Sequence, residues 1–167
     1  MKYTAIIYGL LLFICSACGQ KTEVTSPDGK NKLVLMLDES GSLYYQIFSG
    51  KNEVVHKSLM GIESENERYS FNRGLVYIDQ VGRSINETYT LPVGKRSKYV
   101  NKANENTFVY RNADDRLLKV ICRAYDDGVA FRYELDNQES LTIRHELTEC
   151  NLSAGTHTWM MDWIKDY

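Results

Sequence analysis

The residues able to do chemistry are few and scattered. His56, His145 and His157 have no HxH or HExxH partner, so the spacing that places two imidazoles on one metal is missing and no metal ligand is assigned. His145 reads more simply as a satisfied strand residue. The sequence holds no GxSxG, Walker or GxGxxG loop, which removes the usual signatures of acyl transfer, phosphate cradling and dinucleotide binding. Carboxylates are plentiful, and a turn is enough to explain the adjacent Asp126 and Asp127. A Glu146/His145 pair of mutarotase type fails on geometry, because neighbours on a regular strand point to opposite faces. Trp159 and Trp163 stand near the C-terminal end with Tyr167. Their flat apolar faces suit the C–H face of a pyranose, which makes them candidate carbohydrate contacts. Core packing is the simpler expectation for both.

The cysteines point to a compartment. Lys2 is a short positive n-region, Ala5 to Ile14 an apolar h-region, and Ser16-Ala17 a small-residue cleavage site before Cys18. The apolar run is shorter than the ~20 residues that span a bilayer. Residues 1–18 therefore read as a signal peptide that resembles a bacterial lipobox, with Cys18 the lipidated N-terminus and Cys15 where Leu is usual. Acyl chains on Cys18 would anchor the protein to a membrane, giving a periplasmic or outer-membrane lipoprotein of the cell envelope. Residues 19–25 then form a tether. Cys122 and Cys150 remain. Such a compartment permits a disulfide between them, while a buried free thiol is the simpler reading of Cys122.

Arg123 to Leu135, RAYDDGVAFRYEL, is the strongest local signal. Asp-Gly between alternating apolar runs marks a hairpin, since a type I′ turn needs two residues at positive φ. A two-residue Asp127-Gly128 loop sets Ala124 opposite Phe131, Cys122 opposite Tyr133 and Val120 opposite Leu135. A three-residue loop would set Arg123 opposite Phe131 and Cys122 opposite Arg132, turning side chains to the wrong face. The two-residue register places Arg123 opposite Arg132 on the outer face. Like charges there call for a carboxylate, from Glu134 or Glu146.

The rest of the chain is punctuated in the same way. Ser26-Pro27-Asp28-Gly29 is a turn. Lys32–Asp38 and Leu43–Ser49 are strands separated by Ser40-Gly41, and Glu53–His56 follows Gly50. Glu63–Arg73 reads as a loop or at most a helical turn. Leu75–Val81 and Ser84–Leu91 read as two strands, and Leu91–Arg96 breaks the pattern. Asn101–Asn106 is polar and expected to be exposed. Thr107–Tyr110, Leu117–Tyr125, Val129–Leu135 and Leu141–Leu147 complete the set, the last with Leu141, Ile143 and Leu147 on one face. With no amphipathic helix, these short strands predict an all-β, antiparallel β-sandwich. The chain has 167 residues, 43% hydrophobic and 25% charged, enough for one domain with a core. Its net charge of -2 lacks the basic footprint of a nucleic-acid binder.

Four stretches, in order, resemble the N-terminal domain of glycoside hydrolase family 97. They are Ser26–Gly29 leading into Leu43-Tyr44-Tyr45, Tyr89–Ser97 (YTLPVGKRS), Arg123–Tyr133, and Thr142–Asn151 (TIRHELTECN). The resemblance covers residues 26–167 and implies a galactose-mutarotase-like supersandwich, C-terminally incomplete. In the family this domain packs on a catalytic (β/α)₈ barrel that cleaves α-glucosides or α-galactosides, and the enzymes use calcium. Their catalytic carboxylates come from the barrel, so no catalytic residue is assigned here. The implied partners are the barrel and an α-linked oligosaccharide. The alternative is a stand-alone surface lipoprotein that binds glycan through Trp159 and Trp163.

Overall fold

The computed structural model describes residues 22–136 and 140–159. The leader with Cys18, and Trp163 with Tyr167, lie outside these residues. A first sheet runs in order β1 (Thr22–Thr25), β2 (Asn31–Leu37), β3 (Leu43–Ser49), β4 (Asn52–Met60). After a short β5 (Ile62–Ser64) and a 3-10 turn at Glu67–Tyr69, a second sheet runs β6 (Val76–Thr90), β7 (Lys98–Arg111), β8 (Leu117–Tyr125), β9 (Gly128–Leu135). Finally, β10 (Ile143–Glu146) pairs with β5. All these pairings are antiparallel, and the sheets pack face to face as the expected sandwich.

Period-two alternation drives the packing. On β2 Leu33 and Leu35 are fully buried, as are Phe108 on β7 and Leu118, Val120 and Cys122 on β8. They meet Val24, Leu43, Tyr45, Val55 and Met60 in one continuous cluster that joins both sheets. Each large side chain fully withdrawn from water contributes about 1.5–3 kcal/mol, so this layer is the main stabilising term.

Four expectations are corrected. Thr22–Thr25, placed in the tether, is the edge strand β1, because Thr22 and Val24 alternate inward at 5% and 3% exposure. The two strands expected at Leu75–Val81 and Ser84–Leu91 are the single β6. The strand runs through Gly82, where a Cβ would lie 2.6 Å from Asn106 Oδ1, so the glycine permits a close cross-strand approach. Asn101–Asn106, expected to be exposed, lies within β7 and is buried or half-buried except at Lys102. Its amides have work to do: Asn104 Nδ2 donates to Thr25 O (2.8 Å) and Asn106 Nδ2 to Glu23 O (2.9 Å). They satisfy carbonyls on the open edge of β1, which would otherwise lack partners. Ile143 is 43% exposed rather than inward, and the register of β10 shifts between Ile143 and His145.

The tail beyond β10 covers the outer edge of the first sheet. Leu147 N–H donates to Gly61 O, Glu149 N–H to Leu59 O, and His56 N–H to Asn151 O, at 2.8–2.9 Å. Tyr45 Oη reaches from the core to Glu149 O at 2.6 Å. Gly41 joins the sheets from the other side. It has φ of 72°, and a Cβ there would meet Leu75 N at 2.6 Å, so only glycine fits the turn and the contact together.

Truncating the shared core should unfold both sheets at once. Phe108→Ala is expected to cost about 3–5 kcal/mol in urea denaturation, with one transition. Val81→Ala on the same sheet, 63% exposed, should stay within about 0.5 kcal/mol.

Candidate functional site

The β8–β9 hairpin forms, with a different register from the one expected. Tyr125 pairs with Gly128, Arg123 with Ala130, Cys122 with Phe131 and Ile121 with Arg132. The two-residue loop is thus Asp126-Asp127, and none of Asp126, Asp127 and Gly128 has positive φ, so the turn is not type I′. The displacement is two positions, which keeps every side chain on its expected face. Tertiary contacts hold this turn. Asn31 Nδ2 donates to Tyr125 O (3.1 Å) and Asp126 O (3.0 Å), and Asp28 N–H donates to Asp126 Oδ1 (2.9 Å). The Ser26–Gly29 turn is therefore docked on the hairpin turn, across the two sheets. Ser26 Oγ and the Lys30 N–H both donate to Asp28 Oδ1, holding its carboxyl down at about 2.

Arg123 and Arg132 are not opposed, and each has its own carboxylate. Arg132 Nη2 lies 3.6 Å from Glu134. Glu146, the other candidate, accepts instead from Thr148 Oγ1 at 2.9 Å. The partner of Arg123 is Glu105, directly across on β7. The second Glu105 oxygen accepts from Arg83 Nε at 2.6 Å, directly across on β6. Arg83, Glu105, Arg123 and Ala130 thus form one row across the outer face of the second sheet. Glu105 is 5% exposed. Its burial pushes the carboxyl up, but hydrogen bonds and charge from Arg83 and Arg123 outweigh that and leave it below the ordinary glutamate value. Alternation along β7 was the signal for it, hidden by reading polar Asn101–Asn106 as exposed.

Three surface clefts are candidates, the first of them on this row. A 260 Å³ hollow is lined by Ile121, Arg123, Tyr125, Ala130, Phe131 and Arg132. A 660 Å³ cleft lies between the hairpin turn and β7, with Tyr89, Asn101, Lys102, Tyr125, Asp126 and Asp127 around it. A more polar cleft of 580 Å³, with Glu63, Glu67, Asn72, Arg73, Asp114 and Arg144, sits by the 3-10 turn. The first two clefts carry aromatic rings beside charged groups, and the third carries amides and charges without an aromatic ring.

The remaining candidates do not line these three clefts. Trp159 is 99% exposed rather than packed in the core. Cys122 and Cys150 are both free, Cys122 buried and Cys150 exposed; burial pushes the Cys122 thiol far above its ordinary value and leaves it inert. His56 lies between Glu53 (3.1 Å) and Ser153 (2.8 Å), and His145 pairs with Glu63 in the β10–β5 ladder. Among the described residues no three His, Cys, Asp or Glu converge as a metal site, and no step is routed through a metal here.

Residues 24–167 match the family described as Glycosyl-hydrolase 97 N-terminal. The chain belongs to glycoside hydrolase family 97, as its N-terminal domain. It is similar to a probable retaining alpha-galactosidase of Streptomyces bingchenggensis, 29% identical over 133 residues, 79% of this chain and 20% of that protein. A family 97 enzyme of Pseudoalteromonas sp. strain K8, solved with panose, superposes with a TM-score of 0.72 at 28% identity, covering 80% of this chain and 20% of that one. A beta-arabinopyranosidase crystal structure gives 0.71 at 28% identity, covering 77% and 21%. The family 97 domain described here thus spans about a fifth of these relatives.

Removing the buried carboxylate tests the row. Glu105→Gln should cost about 3 kcal/mol, because Arg123 loses the charge that offsets its burial. Arg83→Ala should cost under ~1 kcal/mol, its side chain being 64% exposed. The depressed Glu105 value makes its contribution full above the ordinary glutamate range and lost as pH falls through the folded value. The stability gap between parent and Glu105→Gln should therefore narrow as pH falls below the ordinary glutamate range.

Proposed function

We propose that this domain packs on a catalytic (β/α)₈ barrel in a family 97 glycoside hydrolase and contributes to binding an α-linked oligosaccharide there. One observation carries the reading: the family match takes in residues 24–167, yet the chain spans about 20% of the relatives' length. Glycoside cleavage in such enzymes needs two carboxylates flanking the scissile bond at a set separation. The acidic groups that stand out on the second sheet are already committed. Glu105 is held between two guanidinium groups and Asp126 accepts a backbone N–H. The reacting carboxylates and the calcium are assigned to the barrel, and this domain acts as a binding and positioning partner. The relatives include a probable retaining alpha-galactosidase and an enzyme solved with panose, so an α-linked galactoside or glucoside is the proposed substrate class. A lipid on Cys18 would hold the protein at the cell envelope.

A second reading keeps the same anchor and makes the protein a stand-alone glycan-binding lipoprotein. The exposure of Trp159 favours it, since an uncovered indole is a ready sugar platform.

The test is hydrolysis of p-nitrophenyl α-glucoside and α-galactoside, with calcium, by this chain alone and joined to a family 97 barrel. Turnover is expected only in the joined form. Turnover by the isolated chain would overturn the accessory role. No turnover in either form, with oligosaccharide binding lost in Trp159→Ala, would favour the lipoprotein reading.

A further inference from the structure

The β6–β7 hairpin is longer than the sheet that carries it. β8 pairs with β7 only between Ala103 and Arg111, while β6 and β7 stay paired out to Thr90 and Lys98. Residues 86–102 therefore form a two-stranded arm with no third strand among the described residues. Such a ribbon is marginally stable alone in water, yet this one is stiffened. Tyr89 and Tyr99 stack across it at 5.4 Å with 13° between their rings, and Leu91 N–H donates to Ser97 O at the base of the tip.

Its surface is wrong for solvent. Val93 is 79% exposed, Val100 66%, Tyr89 47% and Leu91 41%. Val76, Ile78 and Val81, on the free edge strand β6 leading into the arm, are also exposed. Most of the large apolar side chains left in water among the described residues are thus on this one hairpin. Concentration of that kind marks an interaction surface rather than scattered exposure. Charge points the same way. The arm carries Lys95, Arg96, Lys98 and Lys102 against the single carboxylate of Glu87, on a chain of net charge -2.

We propose that the β6–β7 arm is the element that grips the catalytic portion of the enzyme, laying its apolar ribbon and cationic tip on an acid-rimmed apolar groove there. This rests on the reading that the domain packs on a catalytic barrel. That occupant is chosen because the family's relatives carry about four-fifths of their length outside the region matched here, and because a stiffened arm loses little conformational freedom when it docks. An acidic rim is what the tip's cations would select, and a like-charged surface would be rejected.

The experiment places a photo-crosslinking amino acid at Val93, at Val100 and, as a control on the first sheet, at Val54. The chain is joined to a family 97 catalytic portion through a cleavable linker, irradiated, then cleaved. Both arm positions should stay covalently bound to the catalytic portion and the Val54 position should not. Lys95→Glu with Arg96→Glu should cut the yield at least about tenfold. Crosslinks from Val54 with none from the arm would overturn the arm proposal while leaving the domain reading standing. Arm crosslinks between two copies of this chain, or to vesicles of anionic lipid in place of the catalytic portion, would also overturn it. Complete separation of the halves after cleavage, with no crosslink from any position, would overturn both.

Discussion

The layer of side chains between the two sheets is the constraint on which the rest depends. Leu33, Leu35, Leu43, Phe108, Leu118 and Val120 are all fully buried, and they come from both sheets. Because side chains alternate along a strand, burying one face fixes the register of every strand that contributes to it. The outer row of Arg83, Glu105 and Arg123 follows from that register: once Phe108 and Cys122 point inward, Glu105 and Arg123 must point outward, directly across from each other.

Polar groups then close what the apolar layer leaves open. Asn104 and Asn106 satisfy the edge carbonyls of β1, and Asn31 binds the carbonyls of the hairpin turn. These bonds tie one sheet to the other at the margins, where burial alone would let the sheets slide. Residues 147–151 pair with the outer edge of the first sheet in the same spirit. Among the described residues the far half of the β6–β7 hairpin carries much of the apolar surface left uncovered.

Much of the fold was legible in the sequence. Strand periodicity located β2, β3, β8 and β9 closely, and the Asp-Asp-Gly signal located the hairpin. The errors share a cause. Local turn chemistry favoured Asp127-Gly128, but the contacts of Asn31 and Asp28 with Tyr125 and Asp126 come from residues about ninety-five positions away, and tertiary contact won. Asn101–Asn106 read as solvent-facing because a capping amide and an exposed amide look alike in sequence. The run from Leu75 to Leu91 read as two strands because the close approach of Gly82 to Asn106 is invisible without the pairing. Trp159 was expected in the core, but no local pattern at the chain's end specifies whether an indole is covered.

Amide hydrogen exchange would test the account most directly, on the isolated chain and on the chain joined to a family 97 catalytic portion. In the isolated chain, β2, β3, β8 and the Ala103–Arg111 part of β7 should exchange slowest and together, opening as one unit. Residues 86–102 should exchange far faster there, and become protected in the joined form. Fast exchange throughout the isolated chain would contradict a single core that sustains the sandwich. Equal protection of the arm in both forms would contradict its role as the surface left free for the rest of the enzyme.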